Sequence, residues 1–151
     1  ADYVPTPFGL LAEVVRALPA VLAPSQSEAA RAVEEALVGQ PATEEAVSAA
    51  AARATGQTAR VHLKVDTGLG RGGAWRDDLA GMLVDAARLE AEGVLDVEGI
   101  FSHFAYADAP DHPTVRAQQE TFVAILADAE RAGLRPRIRH LANSAATLTN
   151  P

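Results

Sequence analysis

The sequence predicts an α/β fold with parallel strands, on three observations. Three short apolar segments have strand character, an amphipathic helical pattern fills each interval between them, and a glycine closes each of those helices. The strand segments are Val61–Val65, Val97–Phe104 and Ile138–Leu141. They begin about 35–40 residues apart, a spacing shared by (β/α) barrels and doubly wound sheets. Strands joined by crossover helices in one sheet run parallel. Three strands do not close a barrel, which takes eight, so barrel material here would be less than half of one.

Each element has its own local signals. In the first third, Thr6 and Pro7 form a cap and first turn, and Leu10, Leu11, Val14, Val15 and Leu18 follow at helical spacing until Pro19. Ser25 with Glu28 matches a capping box ahead of the stripe Ala29, Ala32, Val33, Ala36 and Leu37, which Gly39 and Pro41 end. Residues 1–42 therefore read as a helical segment. A further helix is expected from Thr43 to about Ala54, closed by Gly56. Val61-His62-Leu63-Lys64-Val65 alternates apolar and polar residues, a strand with one polar face on which Lys64 and His62 stand together. The next helix runs from about Asp77 to Glu92, with Leu79, Leu83 and Ala86 on one side and Gly93 as its stop. Pro113 opens another, in which Phe122, Ile125, Leu126 and Ala129 share a face and Gly133 terminates.

Bulk properties exclude several classes of function. The 151 residues suit one modest domain, and 48% hydrophobic content supports a packed core. A formal charge of −7 argues against a nucleic-acid surface. The longest uncharged apolar stretch, Ala17–Pro24, is too short to span a bilayer. With no cysteine there is no disulfide, thiolate nucleophile or cysteine-held metal, which fits a cytoplasmic setting. Of the thirteen basic residues Lys64 is the only lysine, so lysine imine chemistry has one candidate within this chain.

The Gly-rich turn after the first strand admits several readings. Gly68, Gly70 and Gly73 fit G-x-G-x-x-G, and Asp96 lies about 20 residues on, where a ribose-binding acid is expected. However, Asp66 and Thr67 intervene between strand and glycines, and helix-capping signals wait until Asp77. Asp66-Thr67-Gly68 also matches the aspartic-protease triplet, but that chemistry pairs two carboxylates on an all-β scaffold. His103, Asp108, His112 and His140 form a conceivable metal set, yet no two of the histidines have the i, i+4 helical spacing of a zinc motif, and Asp108 to His112 lies in a Pro-containing loop. A flexible loop carrying an exposed arginine, Arg71, is the plainest alternative. Likewise, His103 could be a hydrogen-bonded core residue, and Asn143-Ser144 a simple helix cap.

Three segments, each at a strand end and in order along the chain, resemble the alanine racemase family. They are Val61-His62-Leu63-Lys64-Val65-Asp66-Thr67-Gly68-Leu69-Gly70-Arg71, then Gly99-Ile100-Phe101-Ser102-His103-Phe104-Ala105-Tyr106-Ala107-Asp108, then His140-Leu141-Ala142-Asn143-Ser144-Ala145-Ala146. The resemblance covers residues 43–151 and implies roughly three βα units of a (β/α)8 TIM-type barrel, in which functional groups gather at the C-terminal strand ends. It implies a pyridoxal 5′-phosphate enzyme that interconverts L- and D-alanine through an imine, supplying D-alanine for peptidoglycan, and that is a homodimer at full length. Lys64 matches the family's carbamylated lysine, whose negative charge holds an arginine at the place of Arg71. That arginine faces the cofactor's phenolic oxygen and receives the substrate carboxylate. His103 matches the network supporting the cofactor ring, and Ser144, with Asn143, the phosphate site at a helix start. No catalytic base can be assigned. Lys64 is not at the imine position, and neither Tyr3 nor Tyr106 lies in the motif of the family's tyrosine base, so the chain is expected to be inactive alone. A non-catalytic partial barrel or a cofactor-binding remnant is the alternative.

Overall fold

A computed structural model describes residues 44–149; the helices expected within residues 1–42 lie outside them. The order is α1 (Glu44–Thr55), β1 (Ala59–Lys64), α2 (Arg76–Ala91), β2 (Leu95–Phe101), α3 (Pro113–Ala132), β3 (Ile138–His140) and α4 (Ser144–Thr149). This is the expected α/β alternation. Among the described residues no helix is long and apolar enough to cross a membrane.

The expected strand ends run too far. The second strand stops at Phe101 rather than Phe104. Ser102 still bonds to the His140 carbonyl at 3.1 Å. Beyond it, the His103 carbonyl and the Ala105 amide are taken by the side chain of Gln118, so the backbone leaves the ladder. The third strand also ends one residue early, at His140.

The described residues divide into two compact units, 44–59 with 92–96, and 60–91 with 97–149. Within the first, Ala49, Ala50 and Ala52 of α1 are buried. Gly56 stops that helix in the left-handed conformation (φ +66°) that glycine adopts without strain. The Thr58 hydroxyl donates to the Gly93 carbonyl at 2.8 Å and the Ala59 amide to the Val94 carbonyl at 3.0 Å.

The second unit holds the core. The strands lie in the order β1-β2-β3, and β2 and β3 run parallel with Gly99, Ile100 and Phe101 opposite Ile138, Arg139 and His140. Alternation along β1 sends Leu63 and Val65 into a cluster with Val97 and Ile100 of β2, Leu83 and Ala86 of α2, and Phe122, Ile125 and Ala129 of α3. Burial of each large aliphatic side chain there contributes roughly 1.5–3 kcal/mol. Helix α3 starts where Pro113 occupies the first turn and His112 Nδ1 accepts the Thr114 amide at 3.2 Å. It ends at Gly133, whose amide returns to the Ala129 and Glu130 carbonyls.

The other face of the sheet is aromatic. The Phe101 and His140 rings stack at 5.0 Å, and His62 lies within 6.4 Å of both. His62 can lie across the sheet because residue 99 has no side chain. A Cβ there would sit 2.8 Å from the imidazole and 3.0 Å from the Ile138 carbonyl oxygen. Gly99→Ala should therefore destabilise the fold by about 1–3 kcal/mol, the usual result of overpacking. Adding His62→Ala should restore part of that in a denaturant melt, whereas no recovery in the double variant would show the crowding lies elsewhere.

Candidate functional site

The site is built on the carboxyl ends of the three strands, which hydrogen bonding brings level. The Val65 amide donates to the Phe101 carbonyl at 2.9 Å, and the Ser102 amide to the His140 carbonyl at 3.1 Å. Past β1 the Gly-rich segment folds back on the strand it has just left. The Asp66 amide donates to the Ala74 carbonyl and the Ala74 amide to the Lys64 carbonyl, each at 2.9 Å. Asp66 starts this loop by accepting the amides of Gly68 at 2.7 Å and Leu69 at 2.9 Å on one carboxylate oxygen, an Asx-type turn. Gly73 closes it at φ +108°, where a Cβ would lie 2.9 Å from the Val65 carbonyl carbon. Helix α2 opens only at Arg76, so Gly73 belongs to the strand return. It does not open a helix, as the dinucleotide pattern requires.

The loop curls around the end of Lys64. Its ammonium donates to the Arg71 carbonyl at 3.3 Å, and the Arg71 guanidinium, which is exposed, makes no hydrogen bond among the described residues. Lys64 and Arg71 both bear on His103. That imidazole titrates below its ordinary value because it is partly buried, then because Arg71 and Lys64 oppose a third positive charge.

From the third strand end, Asn143 caps α4 with its side-chain oxygen, which accepts the Ala146 amide at 2.9 Å, while its Nδ2 reaches the Phe104 carbonyl at 3.5 Å. Ser144 is exposed, and its hydroxyl has no partner among the described residues. His103, Asn143 and Ser144 line one open cleft of about 610 Å³ together with Ala142, Ala145 and Thr147. The structure thus places Lys64, Arg71 and His103 in one group and His103, Asn143 and Ser144 in another, with His103 common to both. The conceivable metal set does not assemble. Among the described residues no three His, Asp or Glu side chains converge, His112 is committed to capping α3, and His140 to stacking on Phe101.

Sequence reasoning missed the polar layer behind these groups. The Thr67 and Ser102 hydroxyls are 2.9 Å apart, and Gln118 joins them by donating to Thr67 Oγ1 at 3.0 Å. The available signal was Gln118 itself, a carboxamide set among Val115, Phe122, Ile125 and Ala129 on the buried stripe of α3.

Parallel strands alternating with helices define the class of fold: part of a (β/α) barrel. The model of the alanine racemase N-terminal domain matches residues 12–151, starting ahead of the three motifs. The alanine racemase of Frankia casuarinae is 60% identical over 104 residues, covering 69% of this chain and 27% of that protein. The alanine racemase structure from a D-cycloserine-producing Streptomyces lavendulae aligns with a TM-score of 0.66 at 52% identity, over 68% of this chain and 27% of that one. That from Streptomyces coelicolor A3(2) gives 0.69 at 41% identity, over 92% and 40%. The chain belongs to the alanine racemase family, and it spans 27% of the length of the Frankia relative.

The electrostatics of His103 can be tested directly. Its folded form binds a proton less readily than the unfolded chain does. It therefore favours folding above the ordinary imidazole value of 6.5, and that contribution is lost as the pH falls below it. In an NMR titration, Arg71→Met should raise the His103 midpoint only part of the way, because burial is the larger cause. An unmoved midpoint would mean that Arg71 does not bear on His103.

Proposed function

We propose that this chain carries the ring and phosphate end of the cofactor site of a pyridoxal-phosphate-dependent alanine racemase, and that it does not racemise alanine alone. The observation behind the reading is the meeting of Arg71, Lys64, His103, Asn143 and Ser144 at adjacent strand ends. The residues present suit the group. A cleft of about 610 Å³ lies within the roughly 300–1,000 Å³ range of small-molecule sites. It offers the Ser144 hydroxyl to an anion, while the charge of Arg71 bears on His103. When bound, the cofactor supplies an electron sink for the substrate carbon that loses its proton.

The roles of this chain's own groups follow from their chemistry. Ser144 and Asn143 would hold the phosphate, and Arg71 would face the phenolic oxygen and receive the alanine carboxylate, a guanidinium being suited to paired oxygens. As an ammonium, Lys64 bonds to the Arg71 carbonyl. Carbamylation reverses its charge and adds two carboxylate oxygens, which makes the Arg71 guanidinium their preferred partner. His103, driven toward its neutral form by burial and by the Arg71 cation, supports the ring and does not shuttle protons.

Racemisation needs a base on each side of the carbon. Lys64 is the chain's only lysine and matches the carbamylated position, and Tyr106 stacks on His112 at 3.9 Å. Both bases would therefore come from outside this sequence, in the homodimeric full-length enzyme whose D-alanine enters peptidoglycan. To test this, the purified chain is mixed with pyridoxal phosphate, reduced with borohydride and mapped by mass spectrometry. Saturable binding weakened about tenfold or more by Ser144→Asp, through like-charge repulsion with the phosphate, with no label on Lys64, is the expected result. Label on Lys64 would make it the imine lysine and overturn its assignment.

A further inference from the structure

We infer that Gln118 is the positioning residue for His103, acting from the buried face of α3 on the turns that follow β1 and β2 at once. Its importance for the reaction rests on the cofactor-site reading above, whereas its effect on His103 does not.

Gln118 is 1% exposed and uses both hydrogens of its carboxamide. One goes to Thr67 Oγ1 at 3.0 Å and the other to the His103 carbonyl at 3.1 Å. Its oxygen accepts the Ala105 amide at 2.9 Å. The two backbone bonds hold the peptide groups on either side of Phe104, whose ring is buried in the core. The third bond reaches Thr67, which meets the Ser102 hydroxyl at 2.9 Å, immediately ahead of His103. His103 is thus held through the residue before it, its own carbonyl and the amide two residues on.

Few side chains could substitute. Two donors and an acceptor at that reach describe a carboxamide, since glutamate lacks the donors, lysine lacks the acceptor, and leucine or methionine lacks both. Among the described residues the buried polar side chains are Asp66, Thr67, Ser102 and Gln118. Thr67, Ser102 and Gln118 form this layer, and Asp66 caps the loop that carries Arg71. The layer ties the turn bearing His103 to the turn leading to Arg71 without adding a charge. Its loss would therefore act on His103 through geometry, by changing its burial and its distance from Lys64 and Arg71.

The test is an NMR titration of the assigned His103 imidazole in the full chain, with no cofactor present. Gln118→Leu should raise the His103 midpoint toward that of an exposed histidine. Thr67→Val keeps both bonds from Gln118 to the His103 turn and cuts only the tie to the β1 turn, so it should move the His103 midpoint less than Gln118→Leu does. An unmoved His103 in folded Gln118→Leu, or an equal movement in Thr67→Val, would overturn the assignment. If Gln118→Leu does not fold, hydrogen exchange of the unaltered chain decides. The Ala105 amide should then exchange at least about a hundredfold more slowly than a free loop amide, and exchange at the free rate would refute the clamp. Failure of the chain to bind pyridoxal phosphate would count against the proposed function and leave this result standing.

Discussion

The site depends on the level alignment of three parallel strand ends. The Val65 amide reaches the Phe101 carbonyl, and the Ser102 amide reaches the His140 carbonyl. These two bonds place Lys64, His103 and Asn143, residues from three distant parts of the sequence, at one end of the sheet. Parallel pairing imposes this, because every strand of the sheet delivers its following loop to the same end. A slip of one residue would turn His62 and Lys64 inward and Leu63 and Val65 outward. The burial of Leu63 and Val65, each 1% exposed, resists that slip.

On this frame, the chemistry comes from unlike groups kept close. Burial, then the charge of Arg71 and that of Lys64 while it is an ammonium, drive His103 toward its neutral form. A site of this sign suits a ligand bearing phosphate and carboxylate oxygens. The loop can come so close to its own strand because Gly73 has no Cβ to meet the Val65 carbonyl. Its glycines thus serve the approach of backbone to backbone, where the motif taken alone suggested a nucleotide cradle.

Much of this was legible in the sequence. The polar alternation of β1 showed that Lys64 and His62 share a face, and Pro113 and Gly133 marked both ends of α3. The Asn143 cap was also visible, because asparagine ahead of a short alanine-rich run satisfies a free helix amide. The end of β2 was not. Val97–Phe104 reads as one apolar run, and what stops the ladder at Phe101 is the side chain of Gln118, some fifteen residues away, claiming backbone groups of residues 103 and 105. Periodicity within a segment carries no information about a side chain arriving from another element. The same limit hid the contact of Thr67 with Ser102 and the dependence of His62's position on Gly99, both of which are tertiary.

The most direct test of the central claim is a crystal structure of the chain with pyridoxal phosphate. The account predicts the phosphate between Asn143 and Ser144, the ring beside His103 with its phenolic oxygen toward Arg71, and Lys64 not bonded to the cofactor. A cofactor bound covalently to Lys64, or a phosphate held away from α4, would contradict it.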